Sequence, residues 1–246
     1  MNSPALQALG LTRRFDGGRV RALDGVNLAC HAGEVLAIVG PSGCGKSTLL
    51  SLLGMLDRPD AGAIRLDGVD YATVRKPHAF RGRHIGFVFQ FHHLVATMSL
   101  QENVEAALIA GGVAARGRVA RAADALASVG LTHRAAHLPA QTSGGERQRA
   151  AVARALANAP RLVLADEPTG NLDSVAGRRV MELLVRHAQA ASAVVIVATH
   201  NADIAAMADR CVTMRDGRIT SDQVLRHAKA SEPSDRGGRR AMVSVS

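Results

Sequence analysis

Cysteine is scarce. The three present, Cys30, Cys44 and Cys211, lie far apart with no CxxC pair, which excludes a disulfide framework and a cysteine-built zinc site and fits a reducing compartment. Long apolar runs are also missing. The best, residues 190–198, is about half of the roughly 18 to 20 residues needed to cross a bilayer. The opening residues, MNSPALQALGLTRRF, place Arg13 and Arg14 after the apolar positions, the reverse of a secretory leader. Nor is there the bias of a disordered or collagenous chain. With 47% hydrophobic and 21% charged residues over 246 positions, the composition is that of a globular protein large enough for one domain, or one with a small inserted subdomain.

What is present begins with charge. A formal net charge of +9 favours a polyanionic neighbour, whether nucleic acid, nucleotide phosphate or anionic lipid. Part of the excess is local. Residues 226–246 hold Arg226, Lys229, Arg236, Arg239 and Arg240 against Glu232 and Asp235, and read as a mobile, solvated basic tail.

Short apolar runs alternate with longer helical patterns, the signature of a parallel sheet covered by helices. Residues 35–39, 162–165 and 194–198 are the clearest strands. Residues 6–15 and 19–28 flank Asp16-Gly17-Gly18, which predicts an antiparallel hairpin, and Arg215-Asp216-Gly217 predicts another. Between about 95 and 160 the pattern is helical and alanine-rich, punctuated by Gly111, Gly112 and Gly130, which places a helical subdomain between two sheet strands.

Gly40-Pro41-Ser42-Gly43-Cys44-Gly45-Lys46-Ser47 fits GxxxxGK[ST] between the strand 35–39 and a helical run at 48–56. Such glycines let the backbone aim several N–H groups at phosphate oxygens, and the helix start at Thr48 adds partial positive charge. Lys46 is suited to the β- and γ-phosphates and the Ser47 hydroxyl to Mg²⁺. A chance match in a chain this long has a probability on the order of 1 in 100. Cys44 sits beside Lys46 and a helix start, features that lower a thiol pKa, although a small residue at a variable loop position is the simpler account.

Residues 162–165 run into Asp166 and Glu167, and ligands bind at the carboxyl ends of strands in open α/β sheets. Asp166 is suited to Mg²⁺ through water, and Glu167 to orienting and deprotonating an attacking water. His200 follows the strand 194–198 and belongs at the same edge, within reach of a γ-phosphate.

Thr142-Ser143-Gly144-Gly145-Glu146 resembles the LSGGQ signature of ATP-binding cassette (ABC) ATPases, and it stands twenty positions before Asp166. The resemblance runs from about residue 4 to 222, with the motifs in the family's order. It implies a P-loop NTPase fold with a RecA-like α/β core, an N-terminal antiparallel β subdomain and an inserted helical subdomain. Residues 4–225 would form the ATP-binding domain. Phe15 then matches the aromatic that stacks on adenine, Gln90 the glutamine-loop residue that meets nucleotide and metal, Asp173 the D-loop aspartate and His200 the switch histidine. Ser143, Gly144, Gly145 and Glu146 would contact the ATP held by a second copy, so that two cassettes close head to tail. Ser143 to Gly145 precede a helical run at 147–157 and would offer a hydroxyl, amides and a helix start to a γ-phosphate.

Of six aromatic residues, Tyr71, Phe80, Phe87, Phe89 and Phe91 fall between 71 and 91. Phe87 and Phe89 alternate as core residues of a strand, whereas Phe91, His92 and His93 read as a loop facing a membrane partner. RHIGFVFQF at 83–91 and ADEPTGNLD at 165–173 look most like the lipoprotein-releasing and macrolide-export branch. Thr142 replaces the usual leucine of the signature, and Glu146 its glutamine. The resemblance implies an ATPase with ATP and Mg²⁺, lying on the cytoplasmic face of the inner membrane and powering a separate integral permease, with no nucleic-acid partner. The rival reading is a chromosome or DNA-repair ATPase of the same superfamily, but only 97 positions separate Lys46 from Ser143, with no sustained heptads for a coiled coil. A cell-division scaffold cassette is a third reading, against which Glu167 and His200 favour hydrolysis.

Overall fold

A computed structural model describes residues 3–225; the basic segment 226–246 lies outside them. Strands β1 (Leu6–Phe15) and β2 (Val20–Cys30) pair antiparallel across Asp16-Gly17-Gly18. All three turn residues take positive φ, at 52°, 64° and 96°, which suits the Gly pair. Alternation buries Leu6 and Ala8. A register shift after Ala8, with Gly10 at φ 60°, then brings Leu11 back to the inner side.

Strand β3 (Val35–Val39) leads into helix α1 (Lys46–Leu53). The sequence places this helix at 48–56, and the structure moves both ends. Gly45, at φ 107°, serves as N-cap and starts it earlier, while Gly54 and Met55, the latter at φ 54°, end it at Leu53. β4 (Ala61–Leu66) pairs with β1, and β5 (Val69–Asp70) with β4, completing a four-stranded sheet in the order β2-β1-β4-β5.

After α2 (Pro77–His84), strand β6 (Ile85–Phe89) joins a second sheet. Helices α3 (Leu100–Ala110), α4 (Ala115–Ser128) and α5 (Gly144–Leu156) follow. The chain then returns as β7 (Leu162–Asp166), directly beside and parallel to β6. Helix α6 (Ser174–Ala191), strand β8 (Val194–Ala198), the single turn α7 (Ala202–Ala205) and the hairpin β9 (Arg210–Arg215) and β10 (Arg218–Val224) finish the described chain. The second sheet runs β10-β9-β3-β8-β7-β6, with β3, β6, β7, β8 and β9 parallel and β10 antiparallel. Its hairpin turns on Asp216 and Gly217, both with φ above zero (49° and 75°), as a two-residue connection of this twist requires.

Three apolar clusters hold the elements together. One lies between the two sheets and includes α1 through Leu49, Leu52 and Leu53. A second covers the other face of the parallel sheet with Val180, Met181 and Leu184 of α6. The third joins α3, α4 and α5 through Val104, Leu108, Leu126 and Ala153. The strands β3, β7 and β8 read as continuous apolar runs because both faces are covered.

Candidate active site

The register of the parallel sheet assembles the site. Ile38, Ala198, Asp166 and Phe89 lie in one row across β3, β8, β7 and β6, so the residues that follow them leave the sheet at the same edge. Those are Gly40 onward, Thr199 and His200, Glu167, and Gln90. This is the edge where parallel sheets bind ligands.

The phosphate loop depends on glycine. Gly40, Gly43 and Gly45 have φ of 151°, 78° and 107°, and a Cβ at Gly40 or Gly45 would run into Met214 O or Ala22 O. Lys46 folds back over the loop, its Nζ donating to Gly40 O at 2.8 Å and Pro41 O at 2.9 Å. Pro41, Ser42, Gly43 and Ser47 are exposed, and Thr48 is half-buried. Cys44 is buried at 4% exposure within the core between the sheets. It therefore serves the loop through its backbone, and burial withholds its thiol from ready alkylation.

Glu167 and His200 meet, with His200 Nδ1 at 2.8 Å from Glu167 Oε1. A carboxylate only accepts, so Nδ1–H donates and Nε2 is left free. Glu167 itself has φ 45°, and its N–H is fixed to Ala198 O at 2.9 Å. Such a conformation in a non-glycine residue stores strain that the neighbouring strand pays back in orientation. Burial pushes the Asp166 carboxyl above its ordinary range, and the charge of Glu167 adds to this, while the Ser47 hydroxyl and Lys46 oppose it.

Ser47 and Asp166 line one small recess together with Phe87 and Phe89. A hydroxyl and a carboxylate are oxygen donors of the kind Mg²⁺ takes when phosphates and water complete its shell, whereas the Gln90 amide lies against Gly170 and does not line this recess. The donor set fits that ion. Among the described residues no group of three or more His, Cys, Asp or Glu forms a separate metal site.

Other residues singled out in the sequence stand elsewhere. Phe15, at the end of β1, is 40% exposed, and the Arg13 guanidinium, held by Asp57 and Asp60, lies 4.9 Å from the ring centroid. One ring face is thus covered by the guanidinium. Ser143, Gly144, Gly145 and Asp173 line a cavity of 530 Å³ with Asn171 and Arg179, and no residue of the phosphate loop lines it.

The sequence places Ser143 to Gly145 before a helix starting at 147, but α5 begins at Gly144 and both glycines lie in its first turn. The cause is a capping box. Ser143 Oγ accepts from Glu146 N at 3.2 Å and Glu146 Oε2 accepts from Ser143 N at 2.8 Å. Arg134 Nε donates to the other Glu146 oxygen at 3.0 Å. The Ser143 amide, with Arg134 behind it, holds the Glu146 carboxyl down at about 2. Asp173 is likewise occupied, as the N-cap of α6, accepting from Ala176 N at 2.8 Å. Thr142 is buried, and its hydroxyl donates to Pro139 O at 2.9 Å.

Three contributors escape the sequence reading. Gln148 Nε2 donates to Pro168 O at 2.7 Å, just past Glu167. Asn171 Nδ2 donates to Gln90 O at 3.2 Å, and Arg154 donates to the carbonyls of His92 and His93. Gln148 carries a usable signal: it lies on the same helical stripe as the buried Ala151, Val152 and Ala155, where a polar side chain needs a partner. The other two carry none.

Comparison with known proteins agrees with this geometry. Residues 23–170 match the ABC transporter family. The lipoprotein-releasing system ATP-binding protein LolD 1 of Rhodospirillum rubrum is 43% identical over 225 residues, covering 90% of this chain and 100% of that protein. LolD of Ruegeria sp. is 47% identical over 222 residues, 88% of this chain and 98% of the relative. The macrolide export ATP-binding/permease protein MacB of Nitrosomonas europaea is 46% identical over 94% of this chain, which spans only 36% of MacB. Among solved structures, a dimeric post-hydrolysis state of the ATP-binding cassette MJ0796 bound to ADP and Pi gives a TM-score of 0.83 at 36% identity, covering 91% of this chain and 100% of that one. With the family matched over more than half of its length, and relatives at 43% and 47% identity along nearly their whole sequences, the chain belongs to the ABC transporter family as an ATP-hydrolysing cassette.

Proposed function

We propose that two copies of this chain close head to tail around two ATP molecules, hydrolyse them with Mg²⁺, and drive a separate integral membrane permease from the cytoplasmic face of the inner membrane. The observation that carries this reading is the row Ile38, Ala198, Asp166, Phe89, which gathers the phosphate loop, Glu167, His200 and Gln90 at one edge. The separate cavity of Ser143, Gly144, Gly145 and Asp173 supports head-to-tail closure, because these groups have no phosphate loop of their own chain beside them. The dimeric MJ0796 cassette supports it too. No described helix is long and apolar enough to cross a membrane, in keeping with a peripheral subunit.

On this reading Phe15 stacks on adenine with the face that Arg13 leaves open. The amides from Gly40 to Thr48 surround the phosphates, and Lys46 gives up its loop carbonyls for the β- and γ-phosphates. Ser47, Asp166 and Gln90 would hold Mg²⁺, which when bound would offset charge on the phosphate oxygens. Glu167 orients the attacking water and takes its proton. His200 steadies that carboxylate through Nδ1–H and turns Nε2 toward the γ-phosphate. Ser143, Gly144 and Gly145 of the other copy complete the site, while Glu146 keeps their helix start in shape.

The two relatives named for lipoprotein release and the one named for macrolide export favour cargo of that amphiphilic kind over nucleic acid. Purification of the Glu167→Gln form from native membranes in detergent with ATP is the test. A stoichiometric polytopic membrane protein is expected in the eluate, and the wild-type pair should hydrolyse ATP faster than the cassette alone. Recovery of DNA-associated proteins with a soluble cassette contradicts the reading.

A further inference from the structure

Every carbonyl from Phe89 to His93 is taken by a donor. Phe89 O accepts from His92 N at 3.2 Å and from Gln148 Nε2 at 3.4 Å, Gln90 O from Asn171, and Phe91 O from His93 N at 2.6 Å. His92 O and His93 O accept from the two terminal nitrogens of Arg154, at 2.7 and 2.5 Å. His92 and His93 have φ of 62° and 47°. Two successive non-glycine residues in the left-handed region are disfavoured by contact of each Cβ with the backbone, so the turn needs an external hold.

Arg154 supplies one at a cost. Its guanidinium is partly buried, and burial lowers its pKa. Among the described residues no carboxylate lies within ion-pair distance of it, so the two carbonyls are its compensation. The same helix, α5, starts at the Ser143 cap and carries Gln148. It therefore grips the chain on both sides of Gln90, at Phe89 through Gln148 and at His92 and His93 through Arg154. The His93 ring adds an edge-on contact with Phe89, 4.8 Å between centroids.

We propose that Arg154 is a positioning residue for ATP hydrolysis: it holds the left-handed His92–His93 turn and so fixes where Gln90 stands beside Asp166 and Glu167. The proposal rests on Gln90 acting at the nucleotide site. Without the guanidinium, residues 92 and 93 relax toward φ below zero, and the chain leaving Gln90 changes direction.

The test is steady-state ATPase kinetics on Arg154→Lys and Arg154→Met, each alone and combined with His92→Gly and His93→Gly, with Gln90→Ala measured alongside. Glycine adopts the left-handed conformation without steric cost, so the paired glycines reduce the need for the clamp. The single variants are expected to lose about fivefold or more in kcat with KM for ATP within about twofold of wild type, and the glycine pair to recover about half or more of the loss. A merely structural role for Arg154 in α5 does not produce that rescue. If Arg154→Met melts too low to assay, Arg154→Lys decides alone, because an ammonium remains buried there and reaches one carbonyl. Wild-type kcat in both Arg154 variants, a loss confined to KM, or a loss that the glycines do not recover overturns the proposal. Wild-type kcat in Gln90→Ala refutes the role of Gln90 and this proposal together, whereas a loss in Gln90→Ala with no rescue at Arg154 refutes the proposal alone.

Discussion

At the scale of single residues, the proposed chemistry rests on the pair Glu167 and His200. On the proposed reading, the 2.8 Å contact between His200 Nδ1 and Glu167 Oε1 makes the imidazole an orienter of the base, with Nε2 left to donate to phosphate. His200→Ala is therefore expected to lower kcat by roughly tenfold to a thousandfold with little change in KM for ATP, measured by steady-state turnover; unchanged kcat contradicts this role. Asp166, Glu167 and His200 are legible in the sequence because each follows a short apolar strand. The capping role of Glu146 is not, since its signal, Ser143 three positions earlier, reads as a phosphate contact. The consequence is a pH dependence. The Glu146 carboxyl falls from an ordinary 4.5 to about 2 in the fold, so its contribution to stability is fully present above 4.5 and is lost as pH falls toward 2. Melting temperatures taken across that window should fall less steeply for Glu146→Gln than for wild type. Parallel slopes would mean that the Ser143 and Arg134 contacts contribute nothing to folding.

At the scale of elements, caps decide where the functional segments begin. Ser143 starts α5 and Asp173 starts α6, so the signature segment and the aspartate that follows Glu167 are both helix starts. Apolar periodicity locates α5 and misses its first turn, because a capping box acts through side chains folded back on the backbone and leaves no trace in that periodicity. Removing the Asp173 cap separates structure from assembly. Asp173→Ala should destabilise the nucleotide-free protein by about 1 kcal/mol, whereas Asp173→Asn, which still accepts from Ala176 N, should keep that stability and weaken only ATP-dependent assembly. Equal stability of Asp173→Ala and wild type in urea denaturation contradicts the cap. The strained turn at His92 and His93 is illegible for a different reason: neither residue is glycine, and its hold comes from Arg154, more than sixty positions away.

For the whole molecule, the alternation of apolar strands and helical runs reveals the parallel sheet, and the two turns with Asp-Gly chemistry reveal both hairpins. Strand order is not visible in that pattern. Placing β3 between β9 and β8, with β7 and β6 beyond, is what brings groups from positions 40, 90, 167 and 200 to one edge, and that is a property of long-range pairing. The order also keeps Ser143, Gly144, Gly145 and Asp173 in a cavity away from their own phosphate loop, which is why the proposed catalytic site draws on a second copy. The most direct test is the molar mass of Glu167→Gln by light scattering with and without Mg-ATP, beside its turnover. A monomer is expected without nucleotide and a dimer with it, and turnover should fall by about a hundredfold or more. A protein that stays monomeric in Mg-ATP and hydrolyses it at the wild-type rate would contradict both the shared site and the base.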